Sequence, residues 1–427
     1  MASDILTTPE IDYIIQNFKV SKLDEVGTVD WFKDKDKLCK LYQISVLEAE
    51  SPPCEERVKS ALVASGNIEV FVKELVTLAV WRIKILPEMC KFTPKPEQVI
   101  PTYIILYSEQ LIAGILEGVL FYEELFWDLN DASIDLIEYC ISQLIVLDTK
   151  AAYQVSENAF HDSDTLKVIN NNVILMNCTV SISSLSILRY IVENLEKLHL
   201  TAASTLYTTH DLPVIIAYLL DKDVWSVKDG EKVYKFVDNK WKEWLPSDPM
   251  LSKVECQTWL LLRELLMNST VDTVYTYTNH RKEVLSKLVR LLHDNVVDQL
   301  SPLAELKLWL HRLSITQTKE VVKNPFILEI NSGYKEELLL EYQDKWKEIA
   351  EKRVHLLFYP HHNNLLSIVK GFANGMDGLV DLADNLNTCA VCFAKALKRC
   401  SKCHKVWYCS RKCQVDNWAS HKLLCCK

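Results

Sequence analysis

Four metal-ligand pairs close this chain, and they constrain its fold more than anything before them. Cys389 and Cys392 are separated by two residues, as are Cys400 and Cys403; Cys409 and Cys413 are separated by three, as are His421 and Cys425. Of the chain's 14 cysteines, eight fall between residues 389 and 426. A Cys-x2-Cys turn can place two thiolates ~3.8 Å apart on one ion, and a closed tetrahedral shell takes two such pairs. Eight ligands therefore make two shells. Soft thiolates with one imidazole suit zinc, and four protein donors leave no position for a reacting water, so both ions are expected to be structural. A segment this short cannot bury an adequate core, and metal binding is expected to supply its folding free energy. Disulfides would require a secreted chain, and the Met1-Ala2-Ser3-Asp4 start has neither the basic nor the apolar region of a signal peptide.

The rest of the chain reads as helix. Glycine is scarce, 9 in 427 residues, and leucine, isoleucine, valine, lysine and glutamate are abundant. Thr8-Pro9 marks a helix start. Ile68, Phe71, Val72, Leu75, Leu78 and Ala79 form one apolar stripe at helical spacing, which Leu86-Pro87 is expected to end. A helix from Thr102 to Trp127, apolar nearly all round, is expected to be central. Further helices are expected over 134–145, 174–200, 212–220, 253–268, 282–292, 302–313 and 334–358, with a polar loop over 148–165. Between them, Val233 to Val237 and Lys240 to Trp244 around Asp238-Asn239 read as a small β-hairpin rich in tryptophan. It is either an exposed binding finger or, as is more common for such a patch, packed back on its own helices. Together these elements predict an all-α helical array or armadillo-like α-solenoid over 1–370, with the hairpin inserted, although no clean repeat period shows. Gly371, Gly375 and Gly378 mark a hinge over 371–388 before the finger at 389–425.

Charge divides at the same place. Residues 389–427 hold nine of the 48 basic residues and one of the 57 acidic ones, Asp416, which leaves the remainder at −17. Seven ligand thiolates and two zinc ions would bring the finger from +8 to about +5. A basic finger on an acidic body is expected to meet an acidic or proline-rich protein segment rather than nucleic acid. No Gly-rich phosphate loop, Gly-x-Ser-x-Gly or His-Glu-x-x-His occurs, and the chain is expected not to be an enzyme. His361-His362 reads as a solvated pair. The most apolar stretch, Tyr103 to Tyr122, is broken by Ser108, Glu109, Gln110 and Glu117 and is not expected to span a membrane.

The order of the ligand pairs, with Tyr408-Cys409-Ser410, Cys413-Gln414, Trp418 and His421-Lys422, resembles a MYND-type zinc finger. In that family the two shells interleave. The resemblance assigns Cys389, Cys392, Cys409 and Cys413 to one zinc, and Cys400, Cys403, His421 and Cys425 to the other. Cys426 stands beside the last ligand, and an exchange between the two stays open. Fingers of this kind bind short proline-rich peptides, and the resemblance assigns that contact to Gln414 and Trp418. The competing reading is that Trp418, with Trp407 and Tyr408, covers the metal sites. In lysine methyltransferases with this finger it is inserted near the start of a mostly β catalytic domain; here it comes last, after helices.

Leu188-Arg189-Tyr190-Ile191, Thr209-His210-Asp211-Leu212-Pro213 and Lys345-Trp346-Lys347-Glu348-Ile349-Ala350, followed by the finger, extend the resemblance to a MYND-finger family of axonemal dynein arm assembly factors. That resemblance implies a cytoplasmic adaptor or co-chaperone in dynein assembly particles, centrosomes or centriolar satellites, needed for motile cilia. It implies a leucine-rich-repeat assembly factor and heat-shock chaperones as partners and axonemal dynein chains as clients. The alternative is a nuclear corepressor-type MYND adaptor, against which stands the lack of a Lys/Arg-rich import run.

Overall fold

The computed structural model describes residues 6–50, 55–93, 95–156, 164–237, 240–245, 250–268, 274–316, 333–359, 391, 396, 398–402 and 406–425. The hinge at 371–388 and His361-His362 lie outside these residues, as do Cys389, Cys392 and Cys403. The described body is a helical array. Its first part comprises α1 (Thr8–Gln16), α2 (Val29–Asp34), α3 (Leu38–Glu50), α4 (Arg57–Ser65), α5 (Ile68–Val80), α6 (Leu86–Phe92), α7 (Ile100–Val119), α8 (Phe126–Leu129), α9 (Ala132–Ile145), α10 (Thr149–Ser156) and α11 (Thr165–Glu193). Then come α12 (Leu200–Ser204), α13 (Leu212–Lys222), strands β1 (Ser226–Asp229), β2 (Lys232–Val237) and β3 (Lys240–Trp244), and α14 (Lys253–Met267). The body closes with α15 (Asn279–Ser286), α16 (Asp294–Gln299), α17 (Leu303–Ile315), α18 (Tyr334–Glu341) and α19 (Trp346–Leu357).

The α5 stripe is buried throughout, from Ile68 to Ala79. Pro87 does not end that helix. The chain passes through a π-helical turn, Trp81–Ile85, and continues as α6 across the proline. The wider turn accommodates a residue that can neither donate its N–H to the carbonyl four residues back nor pass it without a clash. The central apolar helix stops at Val119, not Trp127; the chain bends by 110° into the Glu123–Leu129 turns. The loop expected over 148–165 contains α10, started by Asp148, whose Oδ1 accepts the Ala151 N–H at 2.9 Å.

Helices α7 and α11 lie at the centre and pack on each other; α3, α5, α9 and α14 surround them. At 29 residues, α11 is long and apolar enough to cross a membrane by length and composition. More than half of its apolar window is buried within the body, with Val168, Ile169, Val180, Leu185 and Leu188 in the core. Gly114 on α7 permits the close approach to α3, since any Cβ there would collide with the Tyr42 ring.

One buried polar network ties the π-turn to α7 and α9. The Arg82 guanidinium donates from Nε and Nη2 to the two oxygens of Glu109, each at 2.9 Å. The Tyr139 hydroxyl donates to Glu109 at 2.9 Å, and Arg82 Nη2 reaches Gln143 Oε1 at 3.3 Å. Burial alone would lower the Arg82 pKa; the adjoining Glu109 carboxylate overrides it and holds Arg82 above its ordinary value.

The array departs from a solenoid at its end. Helices α18 and α19 return to the start of the body rather than stacking beyond α17. Tyr334 Oη lies 3.1 Å from the Thr77 hydroxyl, and the Arg353 Nε donates to the Val26 carbonyl at 3.0 Å. Leu357 packs against Gly27, and the Phe358 carbonyl accepts the N–H groups of Glu97 and Gln98.

The Tyr334 N–H donates to Asp135 Oδ1 at 2.8 Å. Burial pushes the Asp135 carboxyl up to about 6; the Tyr334 N–H opposes this and Glu336 adds to it. In the unfolded chain the group titrates near 3.8. Between those two values the folded protein binds more protons, so stability rises as pH falls through that window, and the ionised carboxylate opposes folding above it. Asp135→Asn keeps the acceptor and is expected to raise the melting temperature at about pH 8 and flatten its pH dependence between about 4 and 6. Superimposable pH profiles for the two proteins would exclude Asp135 as the titrating group.

The expected hairpin is a three-stranded antiparallel meander, because Ser226–Asp229 adds a first strand through the Gly230 turn. Phe236 faces Trp241 in the β2–β3 register. The aromatic residues pack inward: Trp225 and Phe236 are buried, and Tyr153 of α10 meets Tyr234 and Trp241 at 5.1 and 5.4 Å between ring centroids. Lys235 pairs with both oxygens of Glu255, which also caps α14 through Ser252, and this anchors the meander to the array.

Candidate metal centre

The described finger consists of strands β4 (Lys398–Arg399) and β5 (Trp407–Tyr408) and helix α20 (Arg411–Leu424). The strands pair antiparallel, with Lys398 opposite Tyr408 and Arg399 opposite Trp407. Ser410 caps α20 by accepting the Cys413 N–H at 3.3 Å. That cap fixes where the helix begins, and so places Cys413 in the first turn and His421 two turns later.

Three ligand atoms, from Cys400, His421 and Cys425, lie within 4.8 Å of one another, and all three residues are buried. The Sγ atoms of Cys400 and Cys425 are 3.8 Å apart. Cys409 and Cys413 form a separate pair with Sγ atoms 3.6 Å apart. A tetrahedron with ~2.3 Å zinc–sulfur bonds has edges of ~3.8 Å, so both separations fit thiolates sharing an ion. They are too long for a disulfide bond. The donor set of sulfurs and one imidazole also fits zinc, which these residues can hold. The grouping sets Cys400, His421 and Cys425 apart from Cys409 and Cys413; the remaining sequence-assigned ligands lie outside the described residues.

Among its described residues the finger has almost no core of its own. Its buried hydrophobic cluster is Ala396, Cys400, Tyr408 and Cys425, two of them candidate ligands. The Tyr408 hydroxyl donates to Asn417 Oδ1 at 3.0 Å, and its ring lies 6.2 Å from that of His421. Tyr408 thus covers the site. Trp407 is half-buried beneath the Arg399 guanidinium, 4.3 Å from the ring centroid. Trp418 contacts the His421 ring at 5.9 Å yet remains 39% exposed, and Gln414 lies one turn earlier on the same helix. Val415, which the sequence reading did not single out, is 64% exposed beside them. Its signal was the spacing of 411, 415, 418 and 422, which places four residues on one face of a helix.

The body carries a groove of about 540 Å³ between α3, α7, α11 and the start of α14. Tyr42, Phe121 and Tyr190 stand around it.

Fold and site together define a MYND-finger protein: a helical body followed by a small finger with converging cysteine and histidine ligands. A family model for the MYND finger matches residues 389–425. The chain is 30% identical over 447 residues, covering 98% of both proteins, to "Zinc finger MYND domain-containing protein 10 homolog" of Drosophila melanogaster. It belongs to the zinc finger MYND domain-containing protein 10 family. Two shorter likenesses are 49% identical: to "Ubiquitin carboxyl-terminal hydrolase 15" of Arabidopsis thaliana over 43 residues, and to "N-lysine methyltransferase SMYD2-B" of Danio rerio over 39. They cover 10% and 9% of this chain and only 5% and 9% of those proteins, so they carry over neither activity. No solved structure matches the chain.

Proposed function

We propose that this protein is a non-enzymatic adaptor or co-chaperone for the cytoplasmic preassembly of axonemal dynein arms. The alignment with a family relative along 98% of both chains carries the reading, because it extends the likeness well beyond the finger. In this reading the helical body holds a dynein client or a heat-shock chaperone, and the finger recruits a second protein such as a leucine-rich-repeat assembly factor. Two structural zinc ions hold the finger: one bound by Cys389, Cys392, Cys409 and Cys413, the other by Cys400, Cys403, His421 and Cys425. Within it, Gln414 and Trp418 contact the partner.

The exposed edge of Trp418 supports that last assignment, since a tryptophan serving only as a metal cover gains nothing from exposure. Trp418→Ala is expected to retain zinc and to weaken partner capture by about 2 kcal/mol, roughly thirtyfold in Kd. Unchanged capture in a pull-down would assign Trp418 to covering the metal site. The function itself is tested by affinity purification from ciliated-cell cytosol, comparing wild type with Cys409→Ala by mass spectrometry. Dynein heavy chains and chaperones with the wild type, and a defined partner set lost from the variant, are the expected result. Chromatin proteins without dyneins would favour the nuclear corepressor reading instead.

A further inference from the structure

The exposed face of α20 has a chemical pattern of its own. Arg411, Val415, Trp418 and Lys422 recur at helical spacing and are all exposed. At about 100° per residue they fall within a sector of about 60°, with Gln414 at its edge. The order along the helix is cation, aliphatic, aromatic, cation. Asp416, the one acid in residues 389–427, sits about 140° round the helix from Arg411 and cannot neutralise the stripe. Among the described residues, no carboxylate pairs with Arg411 or Lys422, nor with Lys398, Arg399, Lys402 or Lys412. The finger stays about +5 even with two bound zinc ions.

An uncharged apolar peptide would meet Val415 and Trp418 but leave both cations unanswered. We propose that α20 binds an extended protein segment whose short apolar, proline-containing core is bracketed by acidic side chains. Val415 and Trp418 take the core; Arg411 and Lys422 read the acids. The two cations are about 16 Å apart along the axis, a span that about five extended residues cover. The acids are therefore about five residues apart. This rests on the peptide-binding reading of the finger and adds what the peptide must carry.

The test uses the full-length, zinc-loaded chain and fluorescence anisotropy with synthetic peptides that share one Pro/Leu core. The core is flanked on both sides by Glu, Gln or Lys. At about 0.05 M salt the Glu-flanked peptide is expected to bind about tenfold tighter than the Gln-flanked one and the Lys-flanked one weakest, with the spread collapsing above about 0.5 M. The double substitution Arg411→Glu with Lys422→Glu is expected to retain zinc and invert the order. Equal binding of all three peptides, still lost in Trp418→Ala, would overturn the acidic preference and leave the peptide-binding reading standing. No binding by any peptide would remove both. A single-stranded RNA oligomer that binds as tightly as the Glu-flanked peptide would replace the proposal with a general polyanion site.

Discussion

Cys409→Ala is expected to unfold the finger and leave the body intact. The buried cluster among the finger's described residues is too small to hold it folded without metal, and structural zinc in such domains contributes an apparent 10–16 kcal/mol or so. Cys409 stands 3.6 Å from Cys413, so its loss breaks one shell directly. The two candidate sites share α20, which supplies Cys413 to one and His421 to the other, so the second shell should weaken as well. On the proposed two-zinc reading, zinc measured by mass spectrometry should fall from two ions per chain to one or none, while the body's thermal transition stays in place. Equal zinc in mutant and wild type would refute the assignment.

Glu109→Ala is expected to destabilise the body by about 3–5 kcal/mol. The carboxylate receives two bonds from Arg82 and one from Tyr139, and all three residues are buried. Its removal leaves a guanidinium in the core with Gln143 as its one remaining side-chain partner among the described residues. The pair's own net worth is a separate matter: replacing both Arg82 and Glu109 with leucine or methionine should cost far less than the single change. Urea denaturation of the single and double variants distinguishes these outcomes. A single-variant cost below about 1 kcal/mol would mean that water reaches the network.

The sequence disclosed the finger and the helical class because both signals are local. Ligand spacing lies within a turn or two, and the α5 stripe repeats every three or four residues. The misreadings have local causes too. Pro87 looked like a helix end because a π-turn leaves no compositional mark. The α10 segment looked like a loop because its polar residues outnumber the few it buries. Ser226–Asp229 is too short and polar to announce a strand, although the Asp229-Gly230 turn hinted at one. What no local pattern could disclose is the return of α18 and α19 to the N-terminal helices, since Tyr334 and Thr77 lie 257 positions apart. The Arg411–Lys422 stripe was readable from spacing alone once the helix boundary was known.

That long return bears on how the chain is made. The surfaces of α5 and α9 that receive Tyr334 emerge from the ribosome long before it does. At about 5–20 residues per second, the 257-residue separation corresponds to roughly 13–50 s of synthesis with that seam open. A transcript truncated anywhere before α19 would lose more than its metal finger: it would release a body with its first helices uncapped, a substrate for quality control rather than a working fragment.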